Sequence, residues 1–154
     1  MSDAHDFDFF HGSWHVEHRK LRRRLVRCDE WDEFSGTVTC WPATAGFGNV
    51  DDNWLDDPSG AYGALAMRAF DPADGVWSIW WLDQRSPQDL DPPVVGRFAD
   101  GVGTFETPDT FEGRPILVRF RWLDTATAHP RWEQAFSPDD GITWEANWHM
   151  RFRR

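Results

Sequence analysis

Phe7-Asp8-Phe9-Phe10-His11-Gly12-Ser13-Trp14-His15-Val16-Glu17-His18-Arg19-Lys20 can be read in two incompatible ways. On a helix, His11, His15 and His18 share one face and form a plausible metal site. On a strand begun at Trp14, His15 and Glu17 point one way, while Trp14, Val16 and His18 point the other. The rest of the chain decides between them. Segments rich in Trp, Phe, Val, Ile and Thr alternate with Gly, Pro and Asp clusters, and no helix longer than a turn or two is indicated. Strands are expected near 13–21, 25–28 with 31–40, 46–54, 61–70, 76–83, 93–99, 102–107, 114–123, 131–137 and 142–153, with 3–10 as a short helical cap. The turns at 69–77 and 137–144 are the clearest, because Pro and Asp start each one and Gly can take the positive φ that closes it.

About ten short antiparallel strands in chain order usually close, since closure removes exposed edges. The expected fold is therefore all-β: an up-and-down barrel in a single domain spanning 1–154, a length suited to one core. Alternation sorts the later strands. Ile116, Val118, Phe120 and Trp122 share a face, as do Trp132, Gln134 and Phe136, and as do Trp144, Ala146, Trp148, Met150 and Phe152. These should point inward, leaving Arg119, Arg121, Glu133, Glu145 and Arg151 as a solvated charge ladder. The inverse assignment has the charges lining a polar pocket and the Trp face meeting another subunit.

Gly12-Ser13-Trp14 ahead of the first strand, with Arg151 and Arg153 at the end of the last, resembles the lipocalin arrangement. There, a first-strand Trp closes one barrel end and a basic side chain covers it. A guanidinium over an indole gains cation–π attraction, and its stem seals apolar surface. Asp8-Phe9-Phe10, His18-Arg19-Lys20-Leu21, Phe70-Asp71-Pro72, Trp77-Ser78-Ile79-Trp80-Trp81, Pro92-Pro93-Val94-Val95-Gly96 and Trp132-Glu133-Gln134-Ala135-Phe136-Ser137 extend the likeness over nearly the whole chain. They resemble a bacterial family of lipocalin-like (calycin) domains to which no reaction is assigned. The resemblance implies a barrel that binds a small, mostly apolar molecule, and it implies no chemistry.

Composition narrows the partners. Eleven Trp and twelve Phe beside one Tyr suit an aromatic-lined cavity, or equally a bulky core. A net charge of −10 disfavours nucleic acid and anionic membrane, and no apolar run reaches the roughly 20 residues of a span. With an acidic start where a signal peptide would be basic, a cytoplasmic protein is expected. Cys28 and Cys40 lack metal-site spacing and read as free thiols. No metal or cofactor is expected. The basic run 19–27 is followed at once by Asp29, Glu30, Asp32 and Glu33, which would neutralise it across a hairpin. Ser137, Asp139, Gly141 and Thr143 match an Asp-box pattern, which braces a turn.

Three functional classes remain open. A carrier or sensor would hold an apolar or aromatic ligand with Trp80, Trp122, Trp132, Trp144 and Trp148, oriented by His18 and Gln134. A small enzyme of isomerase, cyclase or decarboxylase type would use His18 for proton transfer and Arg68 to steady a carboxylate or enolate. A homodimer would use outward indoles, because adjacent Trp80 and Trp81 cannot both be interior on a regular strand.

Overall fold

A computed structural model describes residues 1–154. Ten strands run up and down: β1 (Gly12–Leu21), β2 (Trp31–Ala43), β3 (Gly48–Leu55), β4 (Tyr62–Asp71), β5 (Val76–Asp83), β6 (Val94–Ala99), β7 (Val102–Phe111), β8 (Arg114–Leu123), β9 (Arg131–Ser137) and β10 (Glu145–Arg153). Each pairs with its sequence neighbours, and β10 closes on β1. The strand reading of 12–21 therefore holds. Trp14, Val16 and His18 are buried while His15 and Glu17 are exposed, so the three histidines do not converge. No helix is long and apolar enough to cross a membrane.

A 3₁₀ turn, Asp8–Phe10, precedes β1 and carries two phenylalanines into the barrel's lower end. Phe7 and Phe10 are almost fully buried, packing edge-on against Trp77, Phe98, Trp122 and Phe152 at centroid distances of 4.8–5.8 Å. Burying each ring stabilises by roughly 1.5–3 kcal/mol, and the edge-on geometry adds to that. The N-terminal segment is thus a plug.

Trp14 seals this end as its position suggests, donating its indole N–H to the Phe10 carbonyl at 2.8 Å. The covering cation, however, is Arg154 rather than Arg151 or Arg153. Its guanidinium lies 3.6 Å from the Trp14 ring centroid and donates to the carbonyls of Ser13 and His11. Phe152 points inward, so Arg151 and Arg153 point to solvent and Arg154 recovers the inward side. Gly12 is required by its backbone, and a side chain there would also displace the covering cation. The Gly12 φ is +104°, and a Cβ there would lie 2.5 Å from the Arg154 guanidinium.

Two elements depart from the sequence expectation. Residues 25–28 are not a strand; Leu25 and Arg27 take φ of 61° and 56°, and 22–30 form a loop bent over the upper end. In β10 the register slips between Ala146 and Trp148, making Asn147 the extra residue of a bulge. The bulge inverts the parity upstream. Glu145 pairs with inward Phe136, so Trp144 and Ala146 face outward, and Glu145 leaves the expected charge ladder. Trp144 instead carries the Arg119 guanidinium 4.1 Å from its ring. The ladder keeps Arg121 to Glu133 (3.4 Å), with exposed Arg151 beyond.

The Ser137–Thr143 turn is the structural brace expected of it. Asp139 accepts from the Thr143 N–H and hydroxyl and from the Ser137 hydroxyl, which hold its carboxyl below the usual carboxylate range. Cys28 and Cys40 are free thiols.

Candidate ligand cavity

The upper half of the barrel encloses a cavity of about 350 Å³. It exists because β5 and β6 separate. They pair only from Trp77 to Ile79, and 84–93 then leave the sheet. Pro87, Pro92 and Pro93 have no N–H with which to continue a ladder. The seam opens beside Trp81 and Asp83.

The inner wall is aromatic. Trp81, Trp132 and Trp148 line it together with Phe120, Phe136 and Tyr62. Trp148 meets Trp81 and Trp132 edge to face at 5.7 and 5.3 Å, and Trp132 meets Phe120 likewise at 4.9 Å. The rings brace one another, so the wall is preformed. Gln134 is the polar group expected in this wall. It donates to Asn147 Oδ1 at 2.9 Å, a partner that the bulge delivers, and its own carbonyl oxygen is left for an occupant.

Of the other sequence candidates, Trp132 and Trp148 line the cavity and five residues do not. Trp80 faces outward, because Trp77 and Ile79 are buried on the side where Trp81 meets Trp148. Trp144 is outside for the reason given by the bulge. Trp122 lies in the floor among Phe7, Phe10 and Phe152. Arg68 is buried one layer below the cavity, as the shared parity with Ala64 and Ala66 implies. There it pairs with Asp51 at 2.6 Å and donates to Asn49 Oδ1 at 2.8 Å, over the faces of Phe7 and Phe10. Asn53 in turn donates to Asp51. Arg68 is thus spent on the core.

His18 sits behind Trp148 and does not line the cavity. Its Nδ1 accepts the Trp148 indole N–H at 3.1 Å and its ring stacks on Phe34 at 4.8 Å. Burial, seconded by the Lys20 charge, pushes its pKa down to about 3. A Cβ at Gly36 would lie 3.0 Å from His18 Nε2 and 2.4 Å from the Trp54 carbonyl oxygen, so glycine gives this ring its room. The imidazole is therefore a neutral acceptor that fixes an indole of the wall. Nothing in this geometry equips it for proton transfer to an occupant.

The rim holds residues that the sequence reading passed over. Lys20 shares parity with Trp14, Val16 and His18 and so points inward, a signal available from alternation alone. Its ammonium lies 4.3 Å from the Trp148 centroid, bonded to Asp57 at 3.0 Å and the Tyr62 hydroxyl at 2.8 Å. Burial lowers its pKa against the opposing pull of Asp57. Arg85 pairs with Asp83 at 2.8 Å and stacks 3.6 Å over Tyr62. Asp89, Asp91 and Asp109 add an acidic margin to the opening.

Outside, register aligns Trp41, Val50, Met67 and Trp80 in one row across β2 to β5. Exposed Trp54 flanks it, nearly half accessible like Trp41.

No protein-family model matches the chain, and no curated protein matches it. Among solved structures it is similar to an S-type phycobiliprotein lyase from Guillardia theta, with a TM-score of 0.63 and 11% identity over 100% of this chain and 93% of that one. Likeness at that identity shows the fold, a lipocalin-like barrel.

Proposed function

We propose that the chain binds a small, largely aromatic or apolar molecule in the upper barrel, as a carrier or sensor without chemistry of its own. The observation that carries this reading is the preformed aromatic cavity of about 350 Å³ with Gln134 as its one inward amide. The fold likeness to a phycobiliprotein lyase supports a small, pigment-like class of occupant. The acid–base alternative built on His18 and Arg68 loses its support, because both side chains are committed elsewhere. Filling the cavity tests the proposal. Val118→Phe adds a ring to the wall beside Phe136, its register partner on the next strand. It is expected to weaken naphthalene-2-carboxamide binding at least tenfold, read by saturable Trp quenching, with unchanged circular dichroism. Equal affinity in both proteins, or no saturable quenching of either, would sink the reading.

A second reading concerns the outer row of Trp41, Val50, Met67 and Trp80. An apolar row on a strand face can bury itself against a second copy in a two-fold pairing. Each copy carries −10, so salt should favour the association by screening repulsion. Sedimentation is expected to show a dimer that strengthens from 50 mM to 500 mM NaCl and is lost in Trp41→Glu. A monomer at every concentration and salt level removes it.

A further inference from the structure

We infer that the cavity's occupant carries a carboxylate, and that Arg24 is the residue that receives it. This rests on the binding reading above and names the ligand class.

The run 19–27 contains six basic residues, and the acids that follow it pair with two of them. Arg22 pairs with Glu30 and Asp32 at 2.9 Å each, and Arg19 with Glu33 at 3.5 Å. Lys20 and Arg85, the other cations at the mouth, are held by Asp57 and Asp83. Arg24 differs from all of these. It lines the cavity, makes no ion pair and no side-chain hydrogen bond, and its guanidinium lies 5.2 Å from the Phe136 ring centroid.

The loop is anchored so that this side chain stays at the opening. The Leu25 N–H donates to Glu145 Oε1 at 2.8 Å, and the Leu25 side chain packs on the core. Glu145 reaches the loop because the Asn147 bulge turned it inward, and that backbone bond occupies one of its oxygens. Burial lowers the Arg24 pKa, against weaker opposing pulls from Tyr62 and Glu145.

A half-buried guanidinium with no carboxylate bonded to it is costly, and a planar fork of donors matches a carboxylate in two parallel hydrogen bonds. An aromatic body against Trp132 and Phe136 would place such a group at the mouth. Asp89, Asp91 and Asp109, which also line the opening, repel an anion, so the favourable berth for a carboxylate is at Arg24.

A matched pair of probes separates charge from ring. Naphthalene-2-carboxylate and naphthalene-2-carboxamide share a shape and differ in charge. Wild-type protein is expected to bind the carboxylate at least tenfold tighter by Trp quenching and calorimetry, with the preference shrinking as NaCl rises from 20 to 300 mM. Arg24→Gln should abolish the preference while leaving the carboxamide Kd within twofold, and Arg24→Lys should restore part of it. An unchanged preference in Arg24→Gln overturns the assignment while the cavity reading stands. Equal weakening of both probes also overturns it, making Arg24 a packing residue. If neither probe binds wild type, the cavity reading falls and this inference with it.

Discussion

Asp51→Leu is expected to be the most damaging single change in the barrel. It leaves the Arg68 guanidinium enclosed, with 5% side-chain exposure and no counter-charge. Little of it is open to bulk water, and Asn49 Oδ1 offers a dipole rather than a charge. Stranding a buried partner in this way costs about 3–5 kcal/mol, a large share of the 5–15 kcal/mol that holds a typical domain. The pair itself is a different matter, because the desolvation of two ions offsets much of their attraction. Replacing both ends, as Asp51→Leu with Arg68→Met, should therefore be less harmful than Asp51→Leu alone, by about 1–2 kcal/mol. Some penalty remains, since Asn49 and Asn53 each lose a partner. Urea midpoints followed by Trp fluorescence, at matched m-values, give the comparison. A double variant as unstable as the sum of its singles would contradict this account of the site.

Acid should destabilise the protein through His18, over a window that the shift defines. The unfolded imidazole titrates near 6.5, and the folded one near 3. Between these values the unfolded chain binds a proton that the folded chain refuses, so the neutral-ring contribution is complete above about pH 6.5 and fades as pH falls toward 3. At pH 5 the loss from this group is about 2 kcal/mol. His18→Gln keeps an acceptor for the Trp148 indole and removes the titration. It should be less stable than wild type at pH 7.5 by about 1 kcal/mol, reflecting a poorer stack on Phe34, so the two stability curves should cross at about pH 6, and at about pH 5 the variant should be the more stable by about 1 kcal/mol. Stability measured from pH 8 to 4 decides the matter. Parallel curves would mean that His18 is not the group responsible.

Most of the architecture was legible along the chain. Alternation through 12–21 separates Trp14, Val16 and His18 from His15 and Glu17, and this dissolves the three-histidine pattern without reference to anything distant. The turns at Asp71–Gly75 and Ser137–Gly141 announce themselves through residues that tolerate their φ. These are local properties, fixed by a period of two and by backbone sterics, and so one sequence suffices to read them.

What failed was parity carried across an irregularity. An unbroken strand puts Trp144 and Trp148, four positions apart, on one side; one extra residue at Asn147 reverses that, and neither Asn147 nor its neighbours advertise it. Trp80 and Trp81 are equivalent by type, and only the packing of Trp81 against Trp148 separates them. Local pattern is enough for a closed barrel of about ten strands, a Trp14 seal and an inward His18. That Arg154 covers the seal, that Arg68 is bound to Asp51 and that Arg24 lines the cavity without a bonded partner come only from the closed barrel. Strand periodicity is written in nearest neighbours, whereas the pairing of charges depends on which distant segments closure brings together.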